Sequence, residues 1–127
     1  MPHDRAQKLV AFTIFVEIGT AFAALAAPAL LVQLLLGAPT DATTRAVTRC
    51  FGIALLALAA AWWPDQASSE HVRPPFRGRL VYNALIAAFL AYLALVQHMS
   101  GPLLWPVVAL HAVVSVLIIA TWRARRG

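Results

Sequence analysis

The sequence predicts an all-α fold, a four-helix transmembrane bundle with up-and-down topology, and three observations lead to this prediction. The chain of 127 residues is 61% hydrophobic. Only 12% of its residues are charged, about half the fraction usual in a soluble domain. Its apolar residues gather in blocks, each near the ~20 helical residues that cross a ~30 Å hydrocarbon core. Because the chain is short, we expect residues 1–127 to form a single integral membrane domain.

The first apolar block, residues 9–36, is predicted to be one span with a kink at Pro28. Proline lacks a backbone N–H and its ring obstructs the preceding turn, so it bends or breaks a helix. Residues 9–27 then form the main crossing, and residues 29–36 form its bent continuation. The sequence leaves open whether residues 29–36 span the bilayer or lie at its surface.

The remaining spans are predicted at residues 44–63, 80–99 and 103–122. A polar loop, residues 64–79, joins the second span to the third, and its prolines and glycine argue against a helix there. The arginines of this loop are those of an ordinary positively charged cytoplasmic loop, and they also suit contact with anionic lipid head groups as the alternative. A three-residue turn, 100–102, makes the last two spans antiparallel neighbours.

Lys and Arg residues are distributed unevenly between the two ends of these spans. Eight of the ten lie in the N-terminal segment, the loop 64–79 and the C-terminal segment, whereas the other two are Arg45 and Arg49. Cytoplasmic segments carry the excess of positive charge, so both termini are predicted to be cytoplasmic. Trp62 and Trp63, at the end of the second span, are expected at the membrane interface, where indole rings prefer to lie.

Composition disfavours several functional classes. The net charge of +5 comes from residues that flank apolar blocks, so no nucleic-acid partner is expected. The single cysteine, Cys50, excludes a disulfide within one chain and a cysteine metal cluster. The histidines lack the spacing of a zinc site, so no metal is expected. The apolar run from Leu9 exceeds the ~7–15 residues of a signal-peptide core, so no cleavage is expected.

The spans contain few polar side chains, and Glu17 is the most informative of them. A carboxyl group inside a span is energetically costly and by default indicates a functional site. At ~1.5 Å per residue, Glu17 lies roughly 12 Å from the cytoplasmic edge. On the same scale His111 lies roughly 18 Å from that edge and Asn83 about 7 Å below Glu17. These depths predict a buried polar cluster of Glu17, His111 and Asn83.

Three further side chains are candidates for the same site. Tyr82 lies at the cytoplasmic end of the third span, and Ser115 lies one helical turn from His111 on the same face. Arg49 approaches from the outer side, about 12 Å from Glu17 along the axis, so local tilt or unwinding would have to bring it close. The candidate ligand-binding residues are therefore Glu17, Asn83, His111, Arg49, Tyr82 and Ser115.

The polar cluster allows three interpretations. Glu17 and His111 either join helices by hydrogen bonds alone, or bind the polar group of an apolar ligand such as a lipid or quinone, or act as catalytic residues that transfer protons. The charge state of Glu17 stays open among them. Haem is disfavoured because His98, near the outer interface, lies roughly 12 Å from the depth of His111.

The order of these features resembles a broad group of small bacterial four-span proteins that includes the DoxX-like proteins. The shared features are a first span that closes on Pro28, an Arg-x-x-Gly motif at residues 49–52, an alanine- and leucine-rich second span that ends in tryptophan, and two tightly joined final spans. The resemblance covers most of the chain as a layout. It implies location in the bacterial inner membrane, membrane oxidoreductase partners, and an accessory or quinone-linked role.

The leading functional hypothesis is a non-catalytic accessory subunit or a bundle that binds an apolar ligand beside Glu17. Small residues such as Gly19, Ala23 and Ala27 let helices approach closely, which suits a homo-oligomer or a partner membrane protein as well as membrane lipids. The alternative is a small membrane enzyme or quinone-linked redox component that uses Glu17 and His111 for proton transfer. A transporter would need an oligomer, because one chain has few polar residues to line a path.

Overall fold

The computed structural model describes residues 2–63 and 76–124, which form five α-helices. They are α1 (Pro2–Ala26), α2 (Pro28–Leu36), α3 (Ala42–Ala61), α4 (Phe76–Leu95) and α5 (Leu104–Ala124). These two ranges contain no strand, so the predicted all-α class is confirmed for them. The helix α4 includes residues 76–79, which were predicted to end the loop 64–79, and the rest of that loop lies outside the described residues.

Three helices of the described ranges are long and apolar enough to cross a membrane, namely α3, α4 from Arg77 onward, and α5. A fourth candidate exists if the α1 residues Ala11–Ala26 and the helix α2 together count as one broken span. Large apolar side chains also point outward, and Phe15 and Val116 are 79% and 64% exposed. Exposed apolar surface of this kind is typical of helices that contact lipid or other membrane helices. The predicted integral membrane character agrees with this arrangement.

The chain breaks sharply between α1 and α2. The helix α1 ends at Ala26, α2 begins at Pro28, and the axes of Ala11–Ala26 and Pro28–Leu36 differ by 118°. Pro28 occupies the first turn of α2, where its missing N–H costs nothing because the first N–H groups of a helix have no intrahelical partner. The structure therefore contains two helices where the sequence suggested one helix with a kink.

The Arg-x-x-Gly motif, residues 49–52 of α3, contacts the end of α1 next to the break between α1 and α2. The Arg49 side chain donates a hydrogen bond from Nε to the Leu25 carbonyl oxygen at 3.3 Å, in the last turn of α1. One turn further along α3, a Cβ on Gly52 would lie 2.9 Å from the Ala21 carbonyl oxygen. Glycine thus allows α3 to approach the backbone of α1, and Arg49 satisfies a carbonyl that the break leaves without its helical partner.

The C-terminal end of α2 contacts the turn between α4 and α5. The backbone N–H groups of Ser100 and Leu103 donate to the carbonyl oxygens of Leu36 at 3.3 Å and Leu34 at 2.8 Å. A Cβ on Gly101 would overlap the backbone of residues 34–35. The helix α2 ends at Gly37, whose φ of 69° is the left-handed conformation that glycine adopts without strain. These contacts hold α2 against the turn between α4 and α5.

The helices pack chiefly in two pairs, α1 with α3 and α4 with α5, and smaller contacts join α1 and α2 to α5. A buried apolar cluster of Ile14, Ala59 and Trp62 holds the first pair together, and Tyr82 of α4 packs against it. Trp62 is only 7% exposed, whereas its neighbour Trp63 is 62% exposed. The Trp62 indole therefore lies in the protein interior, and of the two predicted interfacial tryptophans only Trp63 is open to the surroundings.

The helix α3 begins with an N-cap. The Thr44 backbone N–H donates to Asp41 Oδ1 at 2.7 Å, as is typical of an aspartate that precedes the first helical residue. Hydrogen bonds from the side chain and backbone of Thr44 lower the pKa of the Asp41 carboxyl. The cap fixes the start of α3 at Ala42, close to the predicted residue 44.

We expect the substitution Gly101→Ala to destabilise the protein, because a methyl group there has to displace the backbone of α2. Overpacking of this kind costs about 1–3 kcal/mol. Thermal unfolding in detergent, followed by circular dichroism, measures the effect. Gly19→Ala is the matched control, since nothing lies within 4 Å of a Cβ at that position. Equal unfolding temperatures for G101A and the unsubstituted protein would contradict the docking of α2 on the turn.

Candidate functional site

A small cleft lies where α1, α4 and α5 meet, and three of the predicted polar residues line it: Glu17, Asn83 and His111. The remaining lining residues are mostly apolar: Phe12, Thr13, Val16, Leu110 and Val114. The volume of the cleft is about 10 Å³, which is room for about one water molecule. The cleft accommodates a single small polar group beside Glu17 and no larger molecule in its entirety.

Glu17 is turned inward by the helical spacing of α1. Ile14, Ala21 and Ala24, which lie three, four and seven residues away, are buried on the same face as Glu17. The Glu17 side chain is 5% exposed, and its Oε2 atom is buried without a hydrogen-bond partner in the described part of the chain. Buried polar atoms almost always have a partner, so an unpartnered acceptor on the wall of a cleft indicates a role beyond packing.

His111 is held in a defined orientation by its own helix. Its Nδ1 lies 2.9 Å from the Val107 carbonyl oxygen, and a carbonyl can only accept, so Nδ1 carries a proton. In the neutral ring this hydrogen bond leaves Nε2 as a lone-pair acceptor. Ser115 donates its hydroxyl proton to the His111 carbonyl oxygen at 2.8 Å and does not line the cleft. Ser115 thus bonds within α5.

The helix α4 contributes Asn83 and Tyr82. Asn83 is buried, and its Nδ2 donates to the Arg79 carbonyl oxygen at 2.9 Å. The Tyr82 ring lies between two other rings, with centroid distances of 5.7 Å to Trp62 and 6.0 Å to His111. Edge-to-face and tilted pairs at these separations are favourable, so Tyr82 ties α4 to both α3 and α5 beside the cleft.

Arg79 is the functional candidate that sequence reasoning missed. The sequence pattern places it in the polar loop 64–79, but the structure places it in the first turns of α4 with 6% exposure. Its Nη2 donates to the Trp62 carbonyl oxygen at 3.0 Å, and its guanidinium carbon lies 5.0 Å from the centroid of a Trp62 ring. Its Nε is buried without a partner in the described residues, and its charge interacts with that of Glu17.

A sequence signal for Arg79 did exist. It precedes Tyr82 by three residues and Asn83 by four, which places all three on one face if the helix extends back to residue 79. The adjacent prolines and Gly78 concealed this pattern, because they argued for a loop. Prolines are nevertheless compatible with the segment just before a helix.

Arg49 does not join this group. Its side chain is exposed and bonded to Leu25, and Leu25 is eight residues beyond Glu17, roughly 12 Å along α1. Although the helix breaks after Ala26, Arg49 does not approach the cleft. The structure thus brings together Glu17, Asn83 and His111, with Tyr82 adjoining them, whereas Arg49 serves the end of α1.

Within the described residues, no three His, Cys, Asp or Glu side chains lie together as a metal site would require.

Comparison of the chain with family models, curated proteins and solved structures gave no significant match. The resemblance to DoxX-like proteins therefore stays a prediction, and function has to be argued from the cleft. Its chemistry is that of one buried carboxyl group, one oriented imidazole and one carboxamide in apolar surroundings.

A double-mutant cycle tests whether Arg79 belongs to the same site as Glu17. Each of Glu17→Leu and Arg79→Met should lower the free energy of unfolding, because it leaves the other group buried without its opposite charge. The double variant should lose less than the two single losses combined, with a coupling of about 0.5–3 kcal/mol. Unfolding of purified protein in detergent measures all four species. The control cycle combines E17L with R77M. Because Arg77 is exposed, the losses in the free energy of unfolding from these two substitutions should add. Additivity of the Glu17 and Arg79 substitutions would contradict the assignment.

Proposed function

We propose that this chain is a four-span protein of the bacterial inner membrane with both termini in the cytoplasm. The three apolar helices and the bent pair α1–α2 support four crossings. The excess of Lys and Arg at the chain ends and in the segment between α3 and α4 supports the orientation. In this arrangement the segment Ala11–Ala26 of α1 crosses from the cytoplasm and α2 lies toward the outer surface, docked on the α4–α5 turn.

We infer that the protein binds the polar end of an apolar, membrane-soluble molecule such as a lipid or the quinol form of a quinone. The observation that carries this inference is Glu17 Oε2, a buried acceptor without a partner on the wall of a cleft whose lining is mostly apolar. Burying such an atom costs about 1–3 kcal/mol if nothing bonds it. A ligand group that donates a hydrogen bond to Glu17 would offset that cost.

The size of the cleft determines how such a ligand binds. A volume of about 10 Å³ admits one small polar group only. The apolar body of the ligand then stays outside the cleft, along Phe12, which is 52% exposed at its edge. The protein therefore binds the polar head of a molecule whose apolar tail remains in the hydrocarbon phase. This role suits an accessory subunit of a larger membrane assembly or a homo-oligomer.

A second candidate function is proton transfer to or from a bound quinone while a partner oxidoreductase supplies or removes the two electrons. It is favoured by the geometry of His111, whose Nδ1 is engaged by Val107 and whose Nε2 is the acceptor of the neutral ring on the same cleft as Glu17. Two groups able to exchange protons at one polar site satisfy the basic requirement of general acid–base chemistry. Faster oxidation of a quinol by an added electron acceptor in the presence of the purified protein, sensitive to both residues, would distinguish this function from simple binding.

Ligand content tests the proposed binding function. Protein purified from its own membrane in mild detergent should retain a stoichiometric apolar molecule, identified by mass spectrometry of the organic extract. Glu17→Leu should lower its amount about tenfold, because one hydrogen bond to a charged or buried acceptor corresponds to roughly that factor. Thr20→Val is the matched control on α1, since its hydroxyl bonds to the Val16 carbonyl oxygen within the helix. Equal ligand content in the two variants would refute the proposal.

The orientation is tested by reporter fusions. A fluorescent protein joined after residue 127 should be bright, since it folds in the cytoplasm, and alkaline phosphatase at the same place should be inactive. A phosphatase fusion that follows residue 40, between α2 and α3, should be active in the periplasm. The reverse pattern, or phosphatase activity at the C-terminus, would show that the charge distribution had been misread.

A further inference from the structure

Two buried side-chain atoms of the described residues have no hydrogen-bond partner, and they have opposite roles. Glu17 Oε2 is an acceptor, and Arg79 Nε carries an N–H donor. Both side chains are more than nine-tenths buried. A folded protein rarely leaves a buried donor and a buried acceptor unpaired near each other, so the pair indicates a missing third group.

The two groups belong to one neighbourhood. The Glu17 carboxyl interacts electrostatically with Arg79 and also with Tyr82. Ile14, three residues before Glu17, lies in one apolar cluster with Trp62, and Trp62 holds Arg79 by its carbonyl oxygen and its ring. Trp62 thus connects Arg79 of α4 with the apolar cluster that contains Ile14, one helical turn from Glu17 on α1.

The chemistry of the missing group follows from what surrounds it. It has to accept a hydrogen bond from the Arg79 guanidinium and donate one to the Glu17 carboxyl. A cation would be repelled by Arg79 and an anion by Glu17, whereas a neutral hydroxyl performs both roles with one oxygen atom. A quinone carbonyl or an ether can only accept, so beside an ionised Glu17 it would leave Oε2 unpaired.

We propose that Glu17 and Arg79 together bind one neutral hydroxyl group, which bridges the carboxyl and the guanidinium. Resting on the proposed function, this identifies the ligand as a hydroxyl-bearing amphiphile, such as a long-chain phenol, quinol or alcohol. A bound water molecule is the other source of the same chemistry. Arg79 is then a binding residue, and its bond to the Trp62 carbonyl oxygen keeps its Nε directed toward the site.

Binding of two matched probes tests the proposal. The full-length protein in lipid nanodiscs is titrated with 4-octylphenol and with 4-octylanisole, its methyl ether, and the signal of empty nanodiscs is subtracted. The phenol should bind at least about tenfold more tightly, since the ether has no hydrogen to donate to Glu17. Arg79→Gln should weaken phenol binding about tenfold, whereas Arg77→Gln, which removes the same charge two residues away on an exposed side chain, should not change it. If R79Q does not fold by circular dichroism, R79K replaces it and should weaken phenol binding as well, because lysine keeps the charge but its single ammonium group lacks the fixed, forked donors of the guanidinium.

The outcomes separate this inference from the proposed function. Two results would overturn the hydroxyl bridge but leave the proposed ligand binding intact. In the first, E17L abolishes binding of both probes while R79Q and R77Q behave alike. In the second, the phenol and its ether bind equally. If neither probe binds, infrared spectra of the protein in H₂¹⁸O decide whether a bound water molecule forms the bridge. An isotope-sensitive O–H band that is lost in E17L and R79Q but kept in R77Q supports a bridging water and overturns the amphiphile. Absence of that band overturns the bridge.

Discussion

The structure depends on the burial of one carboxyl group in the centre of an apolar bundle. Glu17 lies on the face of α1 that carries Ile14 and Ala21, so the same helical spacing that packs α1 against its neighbours also forces the acid inside. The surrounding helices place two further polar side chains, Asn83 and His111, on the wall of the same cleft. Within the described residues, Glu17 Oε2 still lacks a hydrogen-bond donor, and this unmet requirement is the basis of the proposed ligand.

The architecture around this acid explains why it stays in place. The N-terminal pair α1–α3 approaches closely at Gly52, and Arg49 satisfies the Leu25 carbonyl at the end of α1. At the opposite end of α3, Arg79 bonds to the Trp62 carbonyl, where a cation also suits the negative end of the helix dipole. One arginine thus satisfies a carbonyl at the end of α1, and another satisfies a carbonyl at the end of α3. The packing of α1 on α3 keeps Glu17 on the cleft that residues of α4 and α5 complete.

Much of the site could be predicted from helical spacing and depth. Glu17, Asn83 and His111 were grouped because their distances from the span ends placed them near one level, and the structure puts them on one cleft. Arg79 could not be grouped in this way, since two prolines and a glycine before it indicated a loop. The role of Arg49 depends on where α1 ends, and hydropathy alone does not distinguish a kink at Pro28 from a reversal of 118°. The position of Trp62 in the interior depends on a tertiary contact with Tyr82 that no local pattern encodes.

The central claim is that the acid of α1 faces a polar neighbour across a space that a small group fills. The most direct measurement is an experimental structure of the protein in lipid nanodiscs, at a resolution that shows bound water and lipid. We expect non-protein density within hydrogen-bonding distance of both the Glu17 carboxyl and the Arg79 guanidinium. A map in which Glu17 points at the acyl chains, or in which Arg79 lies among lipid head groups away from Trp62, would contradict it.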